Sequence, residues 1–268
     1  MKSVAGIGLA DVQGVYSGPE GRLWELIMGE QIHIGGLTSS MDLAEQAGIK
    51  AGMKGVDLCC CSGAGMRFLV RFRDAARMTG VDATKTVVEL GKQRCQQAGL
   101  ADRIQFTLAD ACDSRLDGSS ADFVWGEDAW CYVVGKDKLI AEAARIAKPG
   151  GVIAFTDWVE NDGLSQTEAE RFLRFMKFPN IQSIGGYSDL LKANGCEIVA
   201  AKNTGRFGPY MDLYLNMLGM QLTYDALQLI GFDQSMMAAM AAEMAFIQQL
   251  AHAGKIAQGL FVARKRGG

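Results

Sequence analysis

The chain has 268 residues, 49% of them hydrophobic, and a formal net charge of −3. That length buries a substantial core in one elaborated domain, and the scattered Lys and Arg residues form no basic face for a phosphate backbone, which argues against a nucleic-acid partner. No apolar run reaches the roughly eighteen residues that span a bilayer, and MKSVAGIGLADVQG has no charged region ahead of a long apolar stretch, so the sequence reads as cytoplasmic, without membrane insertion.

In chain order, Ser17, Pro19 and Glu20 make a helix start before RLWELIMG, and Ser40 caps a second helix, SSMDLAEQAG, that stops at Gly48. Short apolar runs then alternate with helical periodicity. The strands read as VDLC (56–59), MTGVD (78–82), RIQFTL (103–108), DFVWG (122–126) and GVIAFTDW (151–158), with helices near 64–74, 84–97 and 136–147. The last helix ends in KPGG (148–151), where Pro149 cannot continue it and the glycines permit a tight turn. CEIVAAKN (196–203) and KIAQGLFVARK (255–265) supply a sixth and a seventh strand around a Met-rich helical stretch. Methionines at that spacing fill irregular core gaps, and they also suit an adaptable wall over a pocket.

Such a series predicts an α/β fold, a parallel twisted sheet with helices on both faces and a ligand crevice at the carboxyl ends of the strands. Residues 1–36 read as an N-terminal lid segment, 37–208 and 254–268 as the core, and 209–253 as an inserted helical cap, in a single structural domain overall.

The strand ends are acidic. Asp57 lies within the first strand, Asp82 ends the second, Asp110 follows the third, and Glu127 and Asp128 follow the fourth. A dinucleotide could place one such carboxylate on its ribose, but the others would repel its pyrophosphate, which counts against a nicotinamide dehydrogenase. S-adenosylmethionine carries an ammonium and a sulfonium and no phosphate, and so suits this rim.

The stretch DLCCCSGAGMRFLV (57–70) fits the same logic, because a loop that need not cradle phosphate tolerates the loss of a glycine. Cys59 and Cys61 stand where glycine is expected, while Gly63 and Gly65 remain. Alternate side chains along a strand face opposite ways, so three adjacent thiols do not converge on a metal without a sharp bend. Cys95, Cys112, Cys131 and Cys196 show no zinc-type pairing, and no metal is expected. Seven cysteines in an odd, dispersed set read as reduced, small apolar packing residues; a thiol activated by the following helix N-terminus is the alternative.

Several segments carry a family resemblance: GEQIHIGG (29–36), DLCCCSGAGMRFLVR (57–71), QAGLADRI (97–104), DFVWGEDAW (122–130), ARIAKPGGVIAFTDW (144–158) and GKIAQGLFVARK (254–265). The chain resembles class I S-adenosylmethionine-dependent methyltransferases of the sarcosine/dimethylglycine N-methyltransferase group and, more distantly, phosphoethanolamine N-methyltransferases. The resemblance implies a Rossmann-like, seven-stranded methyltransferase sheet with a helical lid and cap, and S-adenosyl-L-methionine as cofactor.

It implies that the loop of Cys59, Cys61 and Gly63 passes under the methionine part of that cofactor, and that Asp82, with Ala83 beside it, accepts both ribose hydroxyls. Asp110, with Ala111, takes the adenine amine. Asp57 and Glu127 join the cofactor set, and Tyr16, His33, Ile34 and Gly35 fold over it as a lid. Asp82 and Asp110 also suit plain helix or turn caps.

The acceptor that the resemblance implies is a small molecule, most simply an amine of the glycine, sarcosine or dimethylglycine kind. An attacking amine must be unprotonated, so Tyr16, Asp128 and Tyr132 are the candidates to orient its N–H groups or take its proton. In DAWCY (128–132), Tyr132 stands where the related families often have histidine, and an unperturbed tyrosine is a poor base near neutral pH. Tyr187, Arg206 and Lys255 could reach a carboxylate or phosphate on the acceptor. Trp130 and the Met-rich cap could instead enclose a larger apolar acceptor that takes the methyl group on O, S or C. A non-catalytic cofactor-binding protein and a homodimer also remain open.

Overall fold

The computed structural model describes residues 1–267. In chain order the elements are β1 (Lys2–Ser3), α1 (Leu9–Ser17), α2 (Pro19–Met28), α3 (Gly36–Gln46), β2 (Lys54–Leu58), α4 (Ala64–Phe72), β3 (Arg77–Asp82), α5 (Lys85–Gln97), β4 (Ile104–Leu108), β5 (Ala121–Glu127), α6 (Lys136–Ile146) and β6 (Ala147–Glu160). They continue with α7 (Gln166–Met176), β7 (Asn180–Ser183), α8 (Ile184–Ala193), β8 (Cys196–Asn203), α9 (Phe207–Gly219), α10 (Thr223–Leu229), α11 (Gln234–His252) and β9 (Ile256–Lys265).

The strands β4, β3, β2, β5 and β6 lie side by side and parallel, with the order reversing at β2. Beyond β6 the sheet turns mixed: β9 runs antiparallel to β6, and β8 antiparallel to β9. The parallel sheet read from the sequence becomes mixed at this edge, where α9 to α11 between β8 and β9 return the chain in the opposite sense. Two further strands, β1 and β7, are too short to show a hydrophobic period, and they pair with each other.

β6 is the spine. From Val152 to Val159 every residue is buried, as a strand covered on both faces requires. β5 accompanies it as far as Thr156, and β7 pairs beside Val159 and Glu160. Phe155 stacks between Trp130 and Phe261, with ring centroids 4.0 and 4.5 Å away. On the opposite side of the sheet, α4 buries Met66, Phe68, Leu69 and Val70.

Two local readings change. The N-cap of α3 is Gly35, in the left-handed region and five residues before the expected cap, so Ser40 sits mid-helix and is buried. The KPGG segment is not a turn ahead of the strand but an irregularity inside β6: Ala121 pairs with Ala147, and Phe123 already with Val152. Among the described residues no helix is long and apolar enough to cross a membrane.

Phe155→Ala removes the centre of the aromatic stack and should cost about 3 to 5 kcal/mol, read as a lower urea midpoint at unchanged slope.

Candidate active site

The carboxyl ends of β2, β3, β4 and β5 open onto a cavity of about 500 Å³. Its wall holds Cys59 and Cys61, then Asp82, Ala83 and Thr84, then Asp110, Ala111 and Cys112, then Ala129, Tyr132 and Val133, with Leu9, Val12 and Tyr16 of α1 across the opening. A smaller recess shares Tyr16, Cys59, Cys61 and Ala129 with it and adds Asp57, Gly65, Glu127 and Asp128.

The cysteine run makes the bend between β2 and α4. Cys59 (φ 62°) and Cys61 (φ 47°) take the left-handed conformation that glycine adopts without strain, at a cost of about 1 to 3 kcal/mol each. Hydrogen bonds hold the bend: Cys60 N–H donates to Val81 O (3.1 Å) and Cys61 N–H to Asp82 Oδ2 (2.9 Å). The three thiols diverge as expected of alternating side chains, Cys60 packing by Gly80 and the other two facing the cavity. Burial, reinforced by Asp82, pushes all three thiols up, Cys61 to about 12, which disfavours the thiolate form. No group of three His, Cys, Asp or Glu side chains among the described residues could hold a metal ion.

Asp82 accepts Cys61 N–H on one oxygen and Thr84 N–H (2.8 Å) on the other, so the capping role coexists with free lone pairs toward the cavity. Burial raises its carboxyl, and these N–H bonds oppose the rise. Asp110 accepts the N–H of Cys112 at 2.8 Å and is exposed at the rim.

Asp57 is buried, and desolvation, then repulsion from Glu127 and Asp82, hold its carboxyl well above the usual range. A Cβ on Gly65 would stand 2.9 Å from Glu127 Oε2 and 3.4 Å from both Asp57 Oδ2 and Trp125 Nε1, and that indole N–H is buried without a partner. The missing side chain thus lets two carboxylates and an unpaired donor pack close against the backbone at Gly65. Carboxylates so placed suit an ammonium, and the free lone pairs of Asp82 suit a diol; S-adenosylmethionine has both, and no phosphate for the acids to repel.

His33, Ile34 and Gly35 were expected on the cofactor itself, but they lie off both cavities, buried behind the acids. Ile34 N–H donates to Asp128 Oδ2 (2.8 Å), and Gln258 Nε2 donates to Ile34 O and Asp128 Oδ2, each at 2.9 Å. Ser40 donates to Glu127 Oε1 at 2.6 Å, and His33 Nε2 lies 3.3 Å from the same oxygen. Gly35 N–H reaches the Tyr214 hydroxyl at 3.3 Å. Asp128, raised by burial, has both oxygens engaged by Ile34 and Gln258, so it anchors the N-terminal segment rather than standing free as a proton acceptor. Gly63 is likewise structural: it begins α4 in the left-handed region, with Phe106 where a Cβ would go.

None of the four expected acceptor-binding residues lines the cavity. Trp130 is fully buried, donating to Leu58 O (3.2 Å) and stacking on Phe155. Tyr187 is fully buried and donates to Asp157. Arg206 pairs with Asp42, and Lys255 with Glu168 (2.6 Å). Tyr16 and Tyr132 do meet on the wall, ring edge to face, with centroids 5.4 Å apart. Burial raises both phenols, so both stay neutral. Leu9 and Val12 were not legible as wall residues, because nothing local in the sequence marks a wall formed by folding a distant helix across the opening.

Strand order, acid rim and cleft together define the class I methyltransferase fold. In overall shape the chain is similar to a protein assigned as a sarcosine dimethylglycine methyltransferase from Galdieria sulphuraria, with a TM-score of 0.83 and 22% identity over 93% of this chain and 98% of that one. It is similar to phosphoethanolamine N-methyltransferase 2 of Haemonchus contortus, solved with S-adenosylhomocysteine, with a TM-score of 0.82 and 20% identity over 94% of this chain and 58% of that one. The 4+2 cyclase SpnF shares the fold as well, with a TM-score of 0.78 and 18% identity over 100% of this chain and 99% of that one.

Residues 56–155 match the family described as a methyltransferase domain. Among curated relatives, methyltransferase GfsG of Streptomyces halstedii is 27% identical over 59% of this chain and 57% of its own length. Sterol 24-C-methyltransferase erg6 of Aspergillus fumigatus is 29% identical over 61% of this chain and 42% of its own. The chain spans about half the length of these relatives.

Asp82→Asn should weaken S-adenosylhomocysteine binding by about 10- to 100-fold in calorimetry, the worth of a charged hydrogen-bond acceptor. The raised carboxyl of Asp57 gives a second test. An arriving ammonium favours the ionised form, so binding releases a proton and Kd falls as pH rises above the ordinary carboxylate range. Titrations in two buffers of different ionisation heat should show that release, and Asp57→Asn should abolish it.

Proposed function

We propose that the protein transfers a methyl group from S-adenosylmethionine to the amine nitrogen of a small molecule with an apolar body. The carrying observation is the carboxylate pair over Gly65 joined, through Tyr16, to a cavity that Asp82 and Asp110 line. When bound, the cofactor supplies an electrophilic methyl group on a sulfonium. Asp57 and Glu127 would hold its ammonium end, Asp82 and Ala83 its ribose, and Asp110 and Ala111 its adenine.

The two cavities meet at Tyr16, Cys59, Cys61 and Ala129, so whatever fills both presents its middle to Tyr16. Tyr16 and Tyr132 act there as neutral hydrogen-bonding groups and not as bases, and positioning supplies most of the acceleration. The amine must then arrive unprotonated, its surplus proton leaving to water after transfer. Leu9, Val12, Val133 and Val134 give the wall its apolar character, while the guanidinium of Arg206 and the ammonium of Lys255 already have carboxylate partners. That arrangement favours an acceptor with an apolar body over free glycine. The same wall supports a second reading, transfer to O, S or C of an apolar metabolite, a chemistry that the name of the sterol 24-C-methyltransferase relative also carries.

A panel of amines, phenols, thiols and carbon acids, assayed by release of S-adenosylhomocysteine, tests this. Apolar amines should turn over fastest, with rates rising with pH up to the pKa of the amine itself. Tyr16→Phe and Tyr132→Phe should each lower kcat by about 10- to 100-fold. Turnover confined to phenols, thiols or carbon acids would establish the second reading, and binding with no turnover at all would leave a non-catalytic protein.

A further inference from the structure

Tyr132 belongs to a short 3₁₀ turn, Trp130–Tyr132, between β5 and α6. Beneath it lie two buried charges that the site does not use. Asp157 of β6 is fully buried; its Oδ1 accepts the N–H of Cys131 at 2.9 Å, and its Oδ2 accepts the Tyr187 hydroxyl. Lys136, the first residue of α6, is buried too, and its Nζ donates to Val133 O at 2.6 Å and Cys131 O at 3.3 Å. A carboxylate therefore grips the N–H of Cys131 while an ammonium grips its carbonyl. Asn180 Nδ2 adds a bond to Val134 O at 2.9 Å.

This arrangement is expensive for stability alone. Burial holds Asp157 up to about 6 and pushes Lys136 down, and apolar residues of equal volume commonly serve a core as well or better. What buried charges can add is geometric definition, and each of these bonds falls on the backbone of one four-residue stretch, 131–134, or on the groups that brace it.

We propose that Asp157 and Lys136 are positioning residues that fix the 129–134 segment so that the Tyr132 ring stays on the cavity wall. Its kinetic consequence rests on the methyl-transfer reading above; its structural half does not. The segment forms the acceptor-facing wall, so loosening it degrades the transition state more than cofactor binding.

The test uses Lys136→Met, which keeps volume and removes the ammonium, with Asp157→Asn as the milder variant should the first fail to fold. Hydrogen exchange of the S-adenosylhomocysteine complex is the primary readout. Amides of 130–134 should exchange at least about 10-fold faster, with β2, β5 and β6 unchanged and cofactor affinity within about threefold. With a working acceptor, kcat should fall about 10-fold at near-constant KM for the cofactor, and the Tyr132→Phe background should absorb that loss. Unchanged exchange over 130–134 overturns the proposal, and so do losses in the double variant that simply multiply. Should the wild type turn over no acceptor while the variants still loosen the segment, the positioning role stands and the methyl-transfer reading is what fails.

Discussion

Carboxylates gathered without a matching cation are the constraint around which this molecule is arranged. Asp57, Glu127 and Asp82 gather at the ends of three neighbouring parallel strands, and the glycine at 65 lets the first two approach its backbone closely. Desolvation makes the ionised forms of Asp57 and Asp82 unfavourable, and for Asp57 repulsion from Glu127 and Asp82 adds to it. A folded carboxyl with a raised pKa contributes stability at low pH that is lost as pH rises through the folded value, so near neutrality the cleft is a local weakness. A cationic ligand removes that weakness at its source, which links selectivity for a sulfonium cofactor to the energetics of the fold.

The rest of the rim is held from outside the sheet. Asp128 joins Ile34, from the N-terminal segment, to Gln258 of the last strand, so three stretches distant in sequence share one buried carboxylate. Glu127 is held similarly through Ser40, with His33 beside it. Arg67 and Arg94 add pairs to Glu30 and Glu25 beside the cysteine loop. The N-terminal segment is thus fastened behind the site at residues 33–35, while α1 reaches over the cavity through Val12 and Tyr16 and residues 30–32 line the recess.

The strands were legible because their residues are buried on both faces and therefore read as continuous apolar runs, as in Phe123 to Trp125 and Val152 to Phe155. The acids at strand ends were legible because topology alone delivers those positions to one edge. Long-range pairing was not. Nothing near Gln258 announces that it meets Asp128, and nothing near Arg206 names Asp42 as its partner. Trp130 and Tyr187 were misplaced for a related reason: an aromatic residue with a polar tip suits a ligand wall and a core with one buried hydrogen bond equally well. Ser40 misled because serine before an apolar run suggests a cap, whereas the glycines at 35 and 36 set the helix start earlier.

The changing neighbour of β6 has a consequence for where chemistry can sit in such a sheet. β5 stops beside Thr156 and β7 takes up the same strand only at Val159, so Asp157 and Trp158 lack a strand on that side. The berth left by this interruption is the one that the 3₁₀ turn occupies. Extending β5 by two residues would close it with ordinary ladder bonds, and every wall residue from Ala129 onward would lose its seat. A gap in strand length, more than the identity of any one side chain, seats the turn that carries Tyr132 to the cavity wall.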